Sequence, residues 1–296
     1  MRAFRGYHPV VNLIYFVSVI SYAMLLMHPI CLAIALICAL ACYIQYNRKK
    51  AIRFALTVLL PVCIFTALVN PAFNHQGITV LYYLPSGNPL TLEAVAYGVA
   101  AGVMLTTVIC WFGSFHLVMT SDKLVYLFGK LAPALSLLFS MTLRLVPRFR
   151  MQLGRISQAQ KGIGMDGAGK VSVVSRAKAG LKNISAMITQ ALEQSVETAD
   201  SMRSRGYGLP NRTAYALISF DKRDLLVLGV MVICAGYVLL GCILGDMRFS
   251  YYPAMNEIHI SLWSISFYMV YALLCLMPVL IQLQEEHKWK AINARD

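Results

Sequence analysis

Two basic residues stand directly before glycine at the ends of helix-patterned stretches: Lys161 in Gln160-Lys161-Gly162-Ile163-Gly164, and Arg205 in Arg203-Ser204-Arg205-Gly206-Tyr207-Gly208. A base in the last turn followed by glycine is an ordinary helix stop, worth a few tenths to about 1 kcal/mol through the helix dipole. Two such tips in one segment also look like a docking device, each offering an exposed cation to another protein. Other candidates for chemistry recede. Gly164-Met165-Asp166-Gly167-Ala168-Gly169-Lys170-Val171 nearly forms a phosphate-binding loop, but Val171 stands where a hydroxyl should meet magnesium, and a helical pattern precedes it. It reads as a glycine-rich connector. The eight cysteines (31, 38, 42, 63, 110, 234, 242, 275) lie in apolar runs without C-x-x-C, which reads as small buried hydrophobes. The six histidines are scattered, with no H-E-x-x-H. No paired carboxylates or Ser/His/Asp cluster is visible, so no catalytic residue, resident metal or cofactor is expected.

The elements that carry those tips are set by composition. The chain has 296 residues, 58% hydrophobic and 13% charged, with mean hydropathy +0.64; a soluble domain is nearer 45–50% apolar and ~25% charged. An all-α polytopic membrane protein is expected, with about six transmembrane helices. Val11–Tyr46 is interrupted only by His28-Pro29 and reads as two spans joined by a tight turn. The others are roughly Phe54–Asn70, Ala94–Met119, Leu225–Gly245 and Ser261–Leu283. The first apolar run ends in Leu25-Leu26-Met27-His28-Pro29 and not in a small-residue cleavage site, so no cleavable signal peptide is expected. The net charge is +13. Arg2 and Arg5, then Arg48, Lys49, Lys50 and Arg53, then sixteen residues between Ser121 and Arg223, and finally Lys288, Lys290 and Arg295 fall on one side; Arg248 alone falls on the other. The positive-inside rule places both termini and the central segment in the cytoplasm. The expected organisation is helices 1–4 in residues 1–120, a cytoplasmic module in 121–223, helices 5–6 in 224–284 and a tail in 285–296.

No Asp, Glu, Lys or Arg lies within the six span cores; Glu93 stands at the outer end of the fourth. Ion-coupled transporters usually need intramembrane ionisable groups, so energy for uphill transport would have to enter through a partner. The central segment is too long for a structureless loop. Its periodicity predicts two amphipathic helices. Leu137–Lys161 carries the stripe Leu138, Met141, Leu145, Phe149, Gln152, Ile156 and Ala159, with a kink expected at Pro147. Lys182–Arg205 carries Ile184, Met187, Ile188, Ala191, Leu192, Val196, Ala199 and Met202. Leu131–Pro147 is apolar enough to suggest another crossing, but Lys130, Arg144 and Arg148 argue for a helix at the interface or under the spans. From the residues alone, a stand-alone permease or facilitator is the alternative. It should show intramembrane polar groups or inverted repeats with broken helices, and no internal repeat is visible. A membrane-bound enzyme would need convergent acid, base or metal groups.

The stretch Ala191–Gly208, ending an amphipathic helix in Arg203-Ser204-Arg205-Gly206, resembles the second coupling motif of the transmembrane T component (EcfT-like) of energy-coupling factor (ECF) transporters. Arg205-Gly206 matches its Arg-Gly. Asn70-Pro71-Ala72-Phe73 with Gly77, Leu92-Glu93-Ala94, and Leu143-Arg144-Leu145-Val146-Pro147 are similar to family landmarks. The first coupling motif departs: Gln160-Lys161-Gly162 offers Lys for Arg, or an alignment through Gly164-Met165-Asp166 puts Ile163 there. Lysine keeps the charge but loses the planar bidentate fork. The resemblance implies a non-catalytic scaffold of an ATP-driven importer in a prokaryotic cell membrane. Two ABC-type ATPase subunits and a membrane-embedded substrate-binding (S) component for a vitamin or metal ion would be its partners, with the lipid bilayer and no nucleic acid.

Overall fold

Two His-Pro steps start the first two helices. Helix α1 (Pro9–Leu25) and helix α2 (Pro29–Tyr46) each place histidine at the N-cap and proline in the first turn. The His8 and His28 Nδ1 atoms accept from the Val10 and Ile30 amides, both at 3.3 Å. Proline has no amide to leave unpaired, so it costs a helix start nothing. The break expected at His28-Pro29 is where α1 gives way to α2. The structure is a computed structural model and describes residues 4–83, 89–131, 133–162, 173–207, 220–256 and 261–293.

Helix α3 (Arg48–Phe54) passes through a π-helical turn (Ala55–Leu59) into α4 (Leu60–Phe73). Strands β1 (Val80–Tyr83) and β2 (Pro89–Thr91) pair antiparallel, Val80 opposite Thr91 and Tyr83 opposite Pro89. The sequence reading left this hairpin out. Then follow α5 (Leu92–Val118), α6 (Ser121–Leu131), α7 (Pro133–Gly162), α8 (Val173–Ser204), α9 (Lys222–Leu244) and α10 (Leu262–Asn293). The two expected amphipathic helices are α7 and α8, each starting earlier than expected, and α6 is an additional short helix. Helix α7 runs through Pro147 as one element.

Among the described residues five helices are long and apolar enough to cross a membrane: Pro29–Tyr46, Lys50–Phe73, Leu92–Val118, Lys222–Leu244 and Leu262–Lys288. The apolar α1, at 17 residues, stands at the short end of the spanning range. The chain is an all-α multi-pass membrane protein. It divides into two compact units, one of Met1–Thr120 with Ile218–Asp296, the other of Ser121–Leu217.

In the first unit, lipid is as apolar as leucine, so close packing and hydrogen bonds must hold the helices together. Val11, Tyr15, Phe16 and Val19 of α1 pack into one core with Cys38 and Cys42 of α2, Trp111 of α5 and Tyr271 and Cys275 of α10. Tyr15 meets Trp111 edge-on at 6.1 Å, and Phe16 meets Phe115 at 5.5 Å, the geometry that ring quadrupoles favour. Tyrosine hydroxyls then tie distant helices: Tyr15 donates to the Cys275 carbonyl (2.9 Å) and Tyr22 to the Ala235 carbonyl (2.7 Å). Helices α4 and α5 come closest. A Cβ on Gly98 would stand 2.8 Å from the Ala67 carbonyl, and one on Gly102 would stand 2.8 Å from that of Cys63. Gly98-x-x-x-Gly102 thus lets two backbones approach as no larger residue would.

The second unit comprises α6, α7 and α8. Helix α7 touches both of the others. None of the described side chains in these three helices is buried.

Candidate functional site

The end of α8 is built by its backbone. The Tyr207 amide donates to the Met202 carbonyl and the Gly206 amide to that of Arg203, each at 3.1 Å. Gly206 has φ +75°. This pair of bonds with a left-handed residue is the Schellman stop, which satisfies carbonyls the helix would leave open. A side chain at that φ costs about 1–2 kcal/mol, so glycine follows from geometry. Arg205 occupies the C-cap. Its side chain and those of Arg203 and Ser204 are exposed. The Ser204 hydroxyl turns back onto the Ser201 carbonyl (2.9 Å). Among the described residues neither Arg203 nor Arg205 has an ion-pair partner. The tip is therefore a fixed turn carrying two uncommitted guanidinium groups.

The faces behind the tip divide in two. On α8, Asn183, Met187, Ala191, Gln194 and Met202 are half-buried, while Ile184, Ile188, Leu192 and Val196, at steps of four, are exposed. On α7, Met141, Phe149, Gln152 and Ile156 are half-buried, while Leu138 and Leu145 are exposed. The apolar stripes read from periodicity are thus wider than the seam this unit closes. Leu192 is 64% exposed and Val196 63%, an uncovered ridge leading to Arg205. Arg144, in the Leu143–Pro147 landmark, is exposed as well.

The first tip is described only up to the end of α7. Gln160 is half-buried and Gly162 is exposed, with nothing within 4 Å of an added Cβ. The Lys161 side chain and residues 163–172 lie outside the described residues, and with them the near phosphate loop and Ile163 of the second alignment.

Two of the landmark residues of the first unit, Gly77 and Glu93, meet. Thr91 caps α5, its Oγ1 accepting from the Ala94 amide (3.3 Å) and donating to the Gln76 carbonyl (2.7 Å). Both carboxylate oxygens of Glu93 accept from the Thr79 amide, at 3.1 and 3.3 Å. A Cβ on Gly77, whose φ is +142°, would stand 2.5 Å from Glu93 Oε2. Gly77, Thr91 and Glu93 therefore form a clamp folding the chain after α4 onto the start of α5. Glu93 is buried and committed to this clamp, which leaves it poorly suited to carry protons or ions. Nearby, Tyr251 donates to the Met27 carbonyl (2.9 Å). Burial, with a smaller contribution from Tyr97, pushes its phenol up to about 12, so it remains a donor at physiological pH.

Sequence reasoning missed Asp224. It is buried in the first turn of α9, where its Oδ1 accepts from the His8 amide and its Oδ2 from the Asp221 amide, both at 3.1 Å. The chain returning into the membrane unit is thereby fixed to the start of α1, with Phe220 packed edge-on against the His8 ring at 5.0 Å. The signal was Asp221-x-x-Asp224 ahead of an apolar run, an acid pair suited to a helix N-terminus. Among the described residues no group of three or more His, Cys, Asp or Glu could hold a metal ion, and all eight cysteines are free thiols.

Residues 5–215 match the cobalt transport protein family, CbiQ. The chain is 30% identical over 107 residues to the energy-coupling factor transporter transmembrane protein EcfT of Lactobacillus helveticus (strain DPC 4571), covering 36% of this chain and 38% of that one. It is 30% identical over 107 residues to the EcfT protein of Lacticaseibacillus paracasei, covering 36% and 40%. It is 26% identical over 195 residues to that of Streptococcus equi subsp. equi (strain 4047), covering 60% and 71%. The chain spans about two fifths of the length of the first two of these relatives.

Proposed function

Because the chain belongs to the cobalt transport protein family CbiQ, we propose that it is the transmembrane coupling component of an ECF-type ATP-driven importer. Two cytoplasmic ABC-type ATPase subunits hydrolyse ATP, and a membrane-embedded S component captures a vitamin or metal ion. This chain joins them and performs no chemistry itself. Both termini and the Ser121–Leu217 unit face the cytoplasm of a prokaryotic cell, with the spans in its cell membrane.

One observation carries the reading: α8 ends in a Schellman turn that holds Arg205 outward, behind an apolar ridge that its own unit leaves uncovered. A guanidinium at a fixed turn suits bidentate, charge-assisted bonds to carboxylate or carbonyl acceptors in a groove of an ATPase. Such a turn also lets a rigid helix transmit displacement, since the tip cannot fray when pulled. Closure of the ATPase pair on ATP moves the tips, α7 and α8 carry the motion, and their exposed ridges bear on the S component and reorient it. Lys161-Gly162 forms the second, weaker foot. The buried aromatic core and the absence of charge from the span interiors suit a body that holds its shape under load.

Affinity purification of the tagged chain from membranes of its native host tests this. The wild-type chain should bring down ATP-hydrolysing subunits, and Arg205→Ala should lose them while still inserting into the membrane. Uphill solute uptake by the purified chain alone in liposomes would refute the reading.

A further inference from the structure

Arg48, Lys49, Lys50 and Arg53 place four basic residues within six positions at one end of the third span, and Arg48–Phe73 contains no acidic residue to offset them. The inner side of α3 is fixed. Ala51 is buried, and Phe54 stacks on Tyr43 of α2 with ring centroids 4.7 Å apart and planes 27° from parallel. Fixing that side leaves Arg48, Lys50 and Arg53 exposed, and among the described residues none of the three has an ion-pair partner. An apolar track starts beside them. Ile52, 71% exposed, is followed at steps of four by Leu56, Leu60 and Ile64, all exposed. The span they lie on is the least covered of the five long ones.

Twelve residues of helix from Ile52 to Ile64 cover about 18 Å, close to the roughly 15 Å of hydrocarbon in one leaflet. A basic cluster at the head of an apolar track of that length is complementary to an anionic phosphodiester headgroup joined to fatty acyl chains. We propose that α3 and the first turns of α4 form a binding site for an anionic phospholipid. Its headgroup lies against Arg48, Lys50 and Arg53, and one acyl chain lies along Ile52, Leu56 and Leu60. The bound lipid neutralises the basic cluster and holds this end of the span at the membrane surface. The site does not depend on the coupling role proposed above.

The test uses the full chain in phosphatidylcholine vesicles, with spin-labelled phosphatidylglycerol or spin-labelled phosphatidylcholine as the probe. The fraction of motionally restricted label is read by electron paramagnetic resonance. The wild-type chain should prefer phosphatidylglycerol, with each basic group contributing up to about five-fold. The triple variant R48Q/K50Q/R53Q should lose most of that preference. The charge-matched variant R155Q/K178Q/K182Q, altered at exposed positions of α7 and α8, should keep it. Wild-type preference in the first variant, or equal loss in the second, overturns the proposal. Should the triple variant fail to insert, a photoreactive side chain at Ile52 in the otherwise unaltered chain must label phosphatidylglycerol several times more than phosphatidylcholine; equal labelling overturns it. The assay contains no other protein, so its failure leaves the coupling reading standing, and failure of that reading leaves the site standing.

Discussion

Gly98, Gly102 and Gly241 of the membrane unit admit close contacts of a kind that Gly154, Gly162 and Gly180 of the central unit do not make. In the membrane unit, Gly98 and Gly102 sit where a single added carbon would strike the backbone of α4, and a Cβ on Gly241 would stand 2.7 Å from the Phe267 ring. In the central unit, Gly154, Gly162 and Gly180 have nothing within 4 Å of such a carbon. Side chains follow the same division. Trp111, Tyr15, Tyr271 and Phe16 are wholly buried in the first unit, while the described side chains of α6, α7 and α8 include none that is buried. One unit closes its own core. The other holds two long helices beside the short α6, and the long pair leave apolar ridges exposed. This suits the coupling role proposed above, since a surface already satisfied within the chain has little left to exchange with a partner.

Substitutions can break or sharpen this contrast. Arg205→Ala should have the largest functional effect, a fall of roughly ten- to a hundred-fold in ATPase association, the weight of charge-assisted bonds worth about 1.5–3 kcal/mol. Membrane insertion and thermal stability should stay at wild-type level, because the guanidinium is exposed and, among the described residues, unpaired. Uptake and pull-down measured on the same preparations would check both halves, and undiminished uptake would remove Arg205 from the mechanism. Lys161→Ala should reduce association less, by several-fold; were it the worse lesion, the ranking of the two tips would be reversed.

Gly102→Val should destabilise the membrane unit by about 1–3 kcal/mol through overpacking against Cys63, read from denaturant unfolding in detergent micelles. The same change at Gly154, with open space around it, should cost at most a few tenths of a kcal/mol. Equal losses at the two positions would contradict the difference in packing. Gly206→Ala should fray the last turn of α8 at a cost of about 1–2 kcal/mol, weakening ATPase association by about five- to thirty-fold while leaving the melting of the membrane unit unchanged. Tyr22→Phe should have the smallest effect, near 0.6 kcal/mol, the average for an interhelical bond in a membrane; a loss of several kcal/mol would mean that the bond to the Ala235 carbonyl carries far more than an average interhelical bond.

Much of this was legible without coordinates because it is local. Long uncharged runs must be helical in lipid, and the His28-Pro29 step and the glycine after Arg205 mark ends through backbone rules that act within four or five residues. The hairpin was missed because its strands are short and lie between two much stronger helical signals. Asp224 was missed because its worth comes from His8, 216 residues away in sequence.

The sequence alone determined the long apolar helices, the break at His28-Pro29, the absence of charge from the span cores and the glycine stop after Arg205, since hydropathy, capping and charge are properties of neighbouring residues. Tertiary structure decided which half of each amphipathic stripe stays uncovered, that Gly77 and Glu93 meet, that Gly98 and Gly102 admit another backbone, and that α3 turns its basic side outward. Each of these depends on which surfaces approach across long chain separations. Periodicity shows that a helix has an apolar face; only packing shows how much of that face remains to be shared.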